Sequence, residues 1–123
     1  MFDQMKQAAK LASMLKDLPK IKARIESVKE ELARHSVEGV AGGGAVTVRV
    51  SGQLRVLSVE CSPVLLAGLT EPASRSHAQQ LIAEAVNDGM AKAQEMIAAA
   101  VHKAAEEMDL PVPEGMLSGL LGS

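Results

Sequence analysis

Lys16, Lys20 and Arg24 stand four residues apart, a spacing that on a helix lines three cations along one face over about 12 Å. A duplex polyanion carries a charge about every 1.7 Å of its axis, so such a row can meet several phosphates at once. Lys6, Lys10, Lys29 and Arg34 extend the basic stretch. The plainer reading of the same residues is a solvated helix surface with ordinary pairs four apart, such as Lys22 with Glu26. Other chemistry finds little support. His35, His77 and His102 are too dispersed for a local metal motif. Gly42-Gly43-Gly44 lacks the Gly-Lys-Ser/Thr continuation of a phosphate loop and reads as a turn. Glu30 and Glu31, like Glu106 and Glu107, diverge on a helix and make no acid/base couple. Cys61 has no local partner for nucleophilic catalysis and reads as a small packed residue. No catalytic residue, metal or cofactor is therefore expected.

Composition limits the remaining classes. The chain has 123 residues, 47% hydrophobic and 23% charged, the profile of one folded domain. Its formal charge of −2 excludes a bulk polycation, so any contact with nucleic acid must be local. That locality is visible. Residues 1–34 hold eight basic and five acidic side chains, and the rest of the chain five basic and ten acidic. Phe2 is the sole aromatic among Phe, Tyr and Trp, which removes the stacking platforms of single-strand binders. One cysteine excludes an internal disulfide framework and suits a reducing cytosol. No run of residues has the length of a membrane span or the form of a secretory leader, and a cytoplasmic protein is expected.

The elements that would carry these residues follow from periodicity. Leu11, Leu18, Ile25 and Leu32 recur every seven residues, with Met14, Ile21, Val28 and His35 in the companion positions, so a helix with a heptad seam is predicted. Pro19 predicts a kink or a tightly joined helix pair, with the proline opening the second segment. Val46, Val48 and Val50, then Leu57, Val59 and Cys61, alternate with polar residues as strands do. Ser51-Gly52 supplies their turn. With Val37–Val40 ahead of them and the glycine turn between, a three-stranded antiparallel meander is expected. Thr70-Glu71-Pro72 reads as the start of a long helix reaching about Met108. Its stripe of Ile82, Ala85, Gly89, Ala93, Met96 and Ala100 would let a partner helix approach closely. Residues 109–123, rich in Pro and Gly, read as a loose tail.

A helix over 73–108 would run about 54 Å, whereas strands of this length span roughly 17–20 Å. The helix must overhang the sheet. Its stripe and the first helix's seam would then face water unless a second chain covered them; the alternative is an intramolecular helix pair at the end of the sheet.

Several segments together resemble the YbaB/EbfC family of nucleoid-associated DNA-binding proteins. They are Met5-Lys6-Gln7-Ala8, Lys29-Glu30-Glu31-Leu32, Val37-Glu38-Gly39, Ala41-Gly42-Gly43-Gly44, Val46-Thr47-Val48, the Gly52 turn, the helix with Asn87 and Lys92-Ala93, and Leu110-Pro111. The resemblance implies an α+β domain over 1–108 and a tweezer-like homodimer with paired sheets and projecting helices. It also implies a cytoplasmic, nucleoid-associated protein that binds double-stranded DNA through its helical arms, a role carried over here to Lys16, Lys20, Lys22 and Arg24. The expected contacts between copies are Ile21, Ile25, Val28 and Leu32 on the first helix and Val46, Val48 and Val50 in the sheet. Backbone and shape readout fits the absence of a basic recognition helix. Two other readings use the first helix: a protein adaptor docking through Phe2, Met5, Leu11 and Met14, and a membrane-surface helix aided by Lys6, Lys10 and Lys16, disfavoured by Asp3 and Asp17.

Overall fold

The computed structural model describes residues 2–108, so the tail expected at 109–123 lies outside the described residues. So do the side chains of Phe2, Asp3, Ser13 and Met14. The chain is α+β, in the order α1 (Phe2–Lys16), α2 (Leu18–Ala33), β1 (Ser36–Ala41), a short 3-10 turn (Gly42–Gly44), β2 (Val46–Ser51), β3 (Val56–Cys61), α3 (Pro63–Thr70) and α4 (Arg75–Glu107). Asp17 separates α1 from α2, and Pro19 sits in the first turn of α2, where its missing amide costs nothing. The Ile21 amide donates to the Asp17 carbonyl at 3.0 Å and restarts the ladder, so the break takes the expected form of a tightly joined pair.

The three strands form the expected meander in the order β1-β2-β3. Val48 lies opposite Gly39 of β1 and Val59 of β3. Gly42, Gly43 and Gly44 all have positive φ, which is why three glycines turn the chain between β1 and β2. The second turn is longer than Ser51-Gly52. The Ser51 amide donates to the Arg55 carbonyl at 2.9 Å, the Leu54 amide donates to the Ser51 carbonyl at 3.0 Å, and Leu54 carries φ 60. The extra length enters the ladder as a register shift beside Arg49 and Val50, which sets Val56 opposite Val50. Leu57 therefore leaves the alternation with Val59 and Cys61 expected from the sequence.

A short helix, α3, stands where no element was expected. Pro63 opens it, and the Ser62 hydroxyl caps it by accepting from the Leu65 amide. Thr70 ends this helix instead of starting the next. The Thr70 hydroxyl donates to the Ala67 carbonyl, the Ser74 hydroxyl to Gly68 and the Arg75 Nε to Leu69. Side chains of the α3–α4 turn thus satisfy the carbonyls that the end of α3 leaves unpaired, and α4 begins at Arg75.

α4 lies across β1 and β2. Ala78, Ala85, Gly89 and Ala93 are buried on it, and Val46, Val48 and Val50 beneath are wholly shielded. A Cβ on Gly39 would collide with the Ala85 carbonyl and the Gly89 amide, and one on Gly89 would come within 2.8 Å of Val50 Cγ2. The small-residue stripe expected to admit a partner helix packs here on the chain's own sheet, and Val46, Val48 and Val50 are buried within the single chain.

The same docking seals the β1 edge. Asp88 Oδ2 accepts from the Val40 amide at 3.0 Å, and Lys92 Nζ donates to the Glu38 carbonyl at 3.1 Å and pairs with Asp88 at 3.0 Å. The Val40 amide, then Lys92, hold the Asp88 carboxyl below the usual carboxylate range. That stabilisation is complete above the ordinary carboxylate pKa and is lost as pH falls through the lowered folded value. In urea titrations Asp88→Asn should therefore trail the native protein at neutral pH, with the gap closing below about pH 4. Gly39→Ala should lower the unfolding free energy by about 1–3 kcal/mol, read as a lower urea midpoint at unchanged slope.

Candidate nucleic-acid interface

The basic stretch is carried by α1 and α2, and the break at Asp17 divides it. Lys16 closes α1, whereas Lys20, Lys22 and Arg24 lie in the first half of α2. The row of three is thus two helical pieces joined at a bend, not one straight face. Lys16, Lys20 and Lys22 are exposed and make no ion pair among the described residues. The Lys22–Glu26 pair is not formed, because Glu26 accepts from Lys29 instead, at 3.4 Å.

Arg24 is differently placed. Its Nη2 meets Glu107 Oε2 at 2.8 Å and its Nη1 meets Glu31 Oε1 at 3.8 Å, with 29% of the side chain exposed. Its Nε is buried without a partner. The guanidinium therefore ties α2 to the far end of α4 and is already neutralised by carboxylates. Periodicity could not reveal this, since Glu107 lies 83 residues along the chain.

The heptad seam divides lengthwise. Val28 and Leu32 are buried and Ile21 is half-buried, while Leu18 and Ile25 remain 41% and 48% exposed. α4 covers one side of the seam, and this is the intramolecular helix contact weighed as the alternative to a second chain. Val28 and Leu32 are buried within the single chain. Ile25 keeps its surface. On α1, Met5, Leu11 and Leu15 are largely exposed, so the outer side of the seam continues as an apolar line beside the lysines. The remaining candidates from the sequence do not join this surface. Cys61 is half-buried at the end of β3, and His102 pairs along α4 with Glu106 at 2.9 Å. Among the described residues no three potential metal ligands cluster.

Comparison with known proteins bears on this arrangement. The profile of the YbaB/EbfC DNA-binding family matches residues 5–108, which takes in both basic helices, the sheet and α4. A nucleoid-associated protein of Alkaliphilus metalliredigens is 34% identical over 110 residues, covering 89% of this chain and 93% of that protein. Another, of Syntrophobacter fumaroxidans, is 40% identical over 88 residues, covering 72% and 76%. The crystal structure of the uncharacterized protein HP0035 from Helicobacter pylori superposes with a TM-score of 0.52 at 22% identity, over 63% of this chain and 86% of that one, and shares the fold.

Arg24 and Glu107 should prove coupled. Arg24→Ala and Glu107→Ala are each expected to lower unfolding stability, with a coupling of about 0.2–1 kcal/mol in a double-mutant cycle. Lys20→Ala should stay within about 0.5 kcal/mol of the native protein.

Proposed function

The chain belongs to the YbaB/EbfC DNA-binding family, and from that premise we propose that it binds duplex DNA as a nucleoid-associated homodimer, gripping the phosphate backbone through α1 and α2. The observation that carries the reading is that the family match spans the whole basic arm from residue 5 onward, where Lys16, Lys20 and Lys22 stand exposed and pair with no carboxylate among the described residues. Lysines on an open helix face act as mobile point charges, suited to phosphates and indifferent to base sequence. No aromatic residue lies among them to intercalate or stack. Shape and deformability of the duplex would supply whatever preference exists. The role is one of binding, not catalysis. No helix among the described residues is long and apolar enough to cross a membrane.

Homodimerisation matters to the grip because each subunit presents few uncommitted cations. Two copies double the number of phosphates neutralised, and affinity rises steeply with that number. Ile25 and the exposed stretch of the seam are available to such a contact. Arg24 contributes less than its place in the row suggests, since leaving Glu107 and Glu31 for a phosphate exchanges one anion for another.

Duplex titrations at several salt concentrations test this directly. Log affinity should fall linearly with log salt, and Lys16→Gln, Lys20→Gln or Lys22→Gln should each lower the slope by about 0.9 for every phosphate no longer neutralised. The weakening should be similar on unrelated sequences, and Arg24→Gln should change the slope least. A slope unaffected by all three lysine variants would move the interface off this arm.

A further inference from the structure

The apolar seam of the arm is covered at one end only. Val28 and Leu32 are buried and Ile21 is half-buried, but Ile25 and Leu18 of α2 and Leu15 and Leu11 of α1 are exposed. Large aliphatic side chains lined up in this way form the kind of patch that marks an interaction surface. α4 leads directly to it. Glu107 Oε2 meets Arg24 Nη2 at 2.8 Å, so the chain leaves α4 at Met108 beside the residue that precedes Ile25. Residues 109–123 follow. They carry Leu110, Val112, Met116, Leu117, Leu120 and Leu121, together with Asp109 and Glu114 and no Lys, Arg or His.

We propose that residues 109–121 fold back on the arm of their own chain, with Leu110 and Val112 against Ile25 and Ile21, and the cluster at 116–121 against Leu18 and Leu15. Reach permits it. Pro111 and Pro113 favour extended backbone at the residues before them, and residues 109–116 extended span up to about 26 Å, whereas Leu18 lies about 9 Å along α2 from Arg24. The tether selects this occupant over a second copy, because an attached segment competes at an effective concentration of about a millimolar. Charge selects it too. Lys16, Lys20 and Lys22 are exposed and pair with no carboxylate among the described residues, and the segment brings Asp109 and Glu114 to them without a cation of its own. Once docked, it occupies the surface assigned above to duplex phosphates, so the two compete. The docking stands on the fold alone; the competition rests on the DNA reading.

Methyl NMR on the intact protein tests the docking. Leu117→Ser combined with Leu120→Ser should shift the δ1 methyls of Ile21 and Ile25 and leave that of Ile82, packed against the core, in place; the unmoved Ile82 also shows that the variant folds. In the native protein, nuclear Overhauser contacts should join the Ile25 methyl to methyls of 110–121, and a mixture of labelled and unlabelled chains should place them within one chain. Unshifted Ile21 and Ile25 methyls without such contacts, contacts only between chains, or the arm of a second copy on Ile25 would each overturn the docking. In duplex titrations the same variant should bind about threefold tighter than the native protein, the ratio expected where the segment is docked about two-thirds of the time. Asp109→Asn combined with Glu114→Gln should also tighten binding. Docking seen by NMR with equal duplex affinity in all three proteins would overturn the competition. Docking with no duplex binding by any of them would overturn the DNA reading and leave the docking in place.

Discussion

The position of α4 is set by the absence of two side chains. Gly39 in β1 and Gly89 in α4 approach so closely that a Cβ on Gly39 would strike the helix backbone, and Ala85 and Ala93 continue the same flat surface. Helix and strand backbones can be this near only where small residues meet. From that contact follows much of the remainder. Val46, Val48 and Val50 lose all contact with water. Asp88 and Lys92, one turn apart, are delivered to the outward groups of β1, while β3 is left beyond the helix's reach.

The length of α4 does the rest. About 22 Å of it, from Ala78 to Ala93, serves the sheet, and a further 21 Å or so continues to Glu107. That overrun would be an unsupported helix were it not for α2, which touches α4 and is tied to its far end by the Arg24–Glu107 pair. One helix thus organises two surfaces: a sheet with one sealed edge, and an arm held near its base and free further out. The apolar line of Leu11, Leu15, Leu18 and Ile25 remains exposed on that arm, and of these Leu11 is shared with the adaptor reading.

Local patterns are legible in the sequence, and long-range pairings are not. The alternation of Val46, Val48 and Val50, the glycine turn and the break at Pro19 all announce themselves, because each reflects backbone geometry over a few residues. The small stripe on α4 is equally visible, but whether a helix or a sheet fills the space beside Gly89 depends on Gly39, fifty residues earlier. α3 escapes notice because its apolar run, Val64 to Leu69, shows no helical period and its cap at Ser62 follows directly on a strand. Thr70 and Pro72 resemble a helix start, yet Thr70 is used to close the preceding one. At the candidate interface the lysines stand out as a spacing. The commitment of Arg24 does not, for a cation's partner across 83 residues leaves no trace in periodicity.

An acidic chain can still hold a polyanion, because charge acts over a limited distance. At physiological ionic strength exposed charges are screened beyond about 8 Å, whereas Glu31 lies some 16 Å along α2 from Lys20. Glu26 is engaged by Lys29, and Glu31 and Glu107 by Arg24. Between Lys16 and Lys22 the sequence holds one acid, Asp17. On the proposed reading, a phosphate would approach at the bend between α1 and α2, where the local cations outnumber the acids although the overall charge is −2. The Lys29–Glu26 pair serves that end as well, since Glu26, four residues from Lys22, is the acid of α2 placed to compete for that lysine.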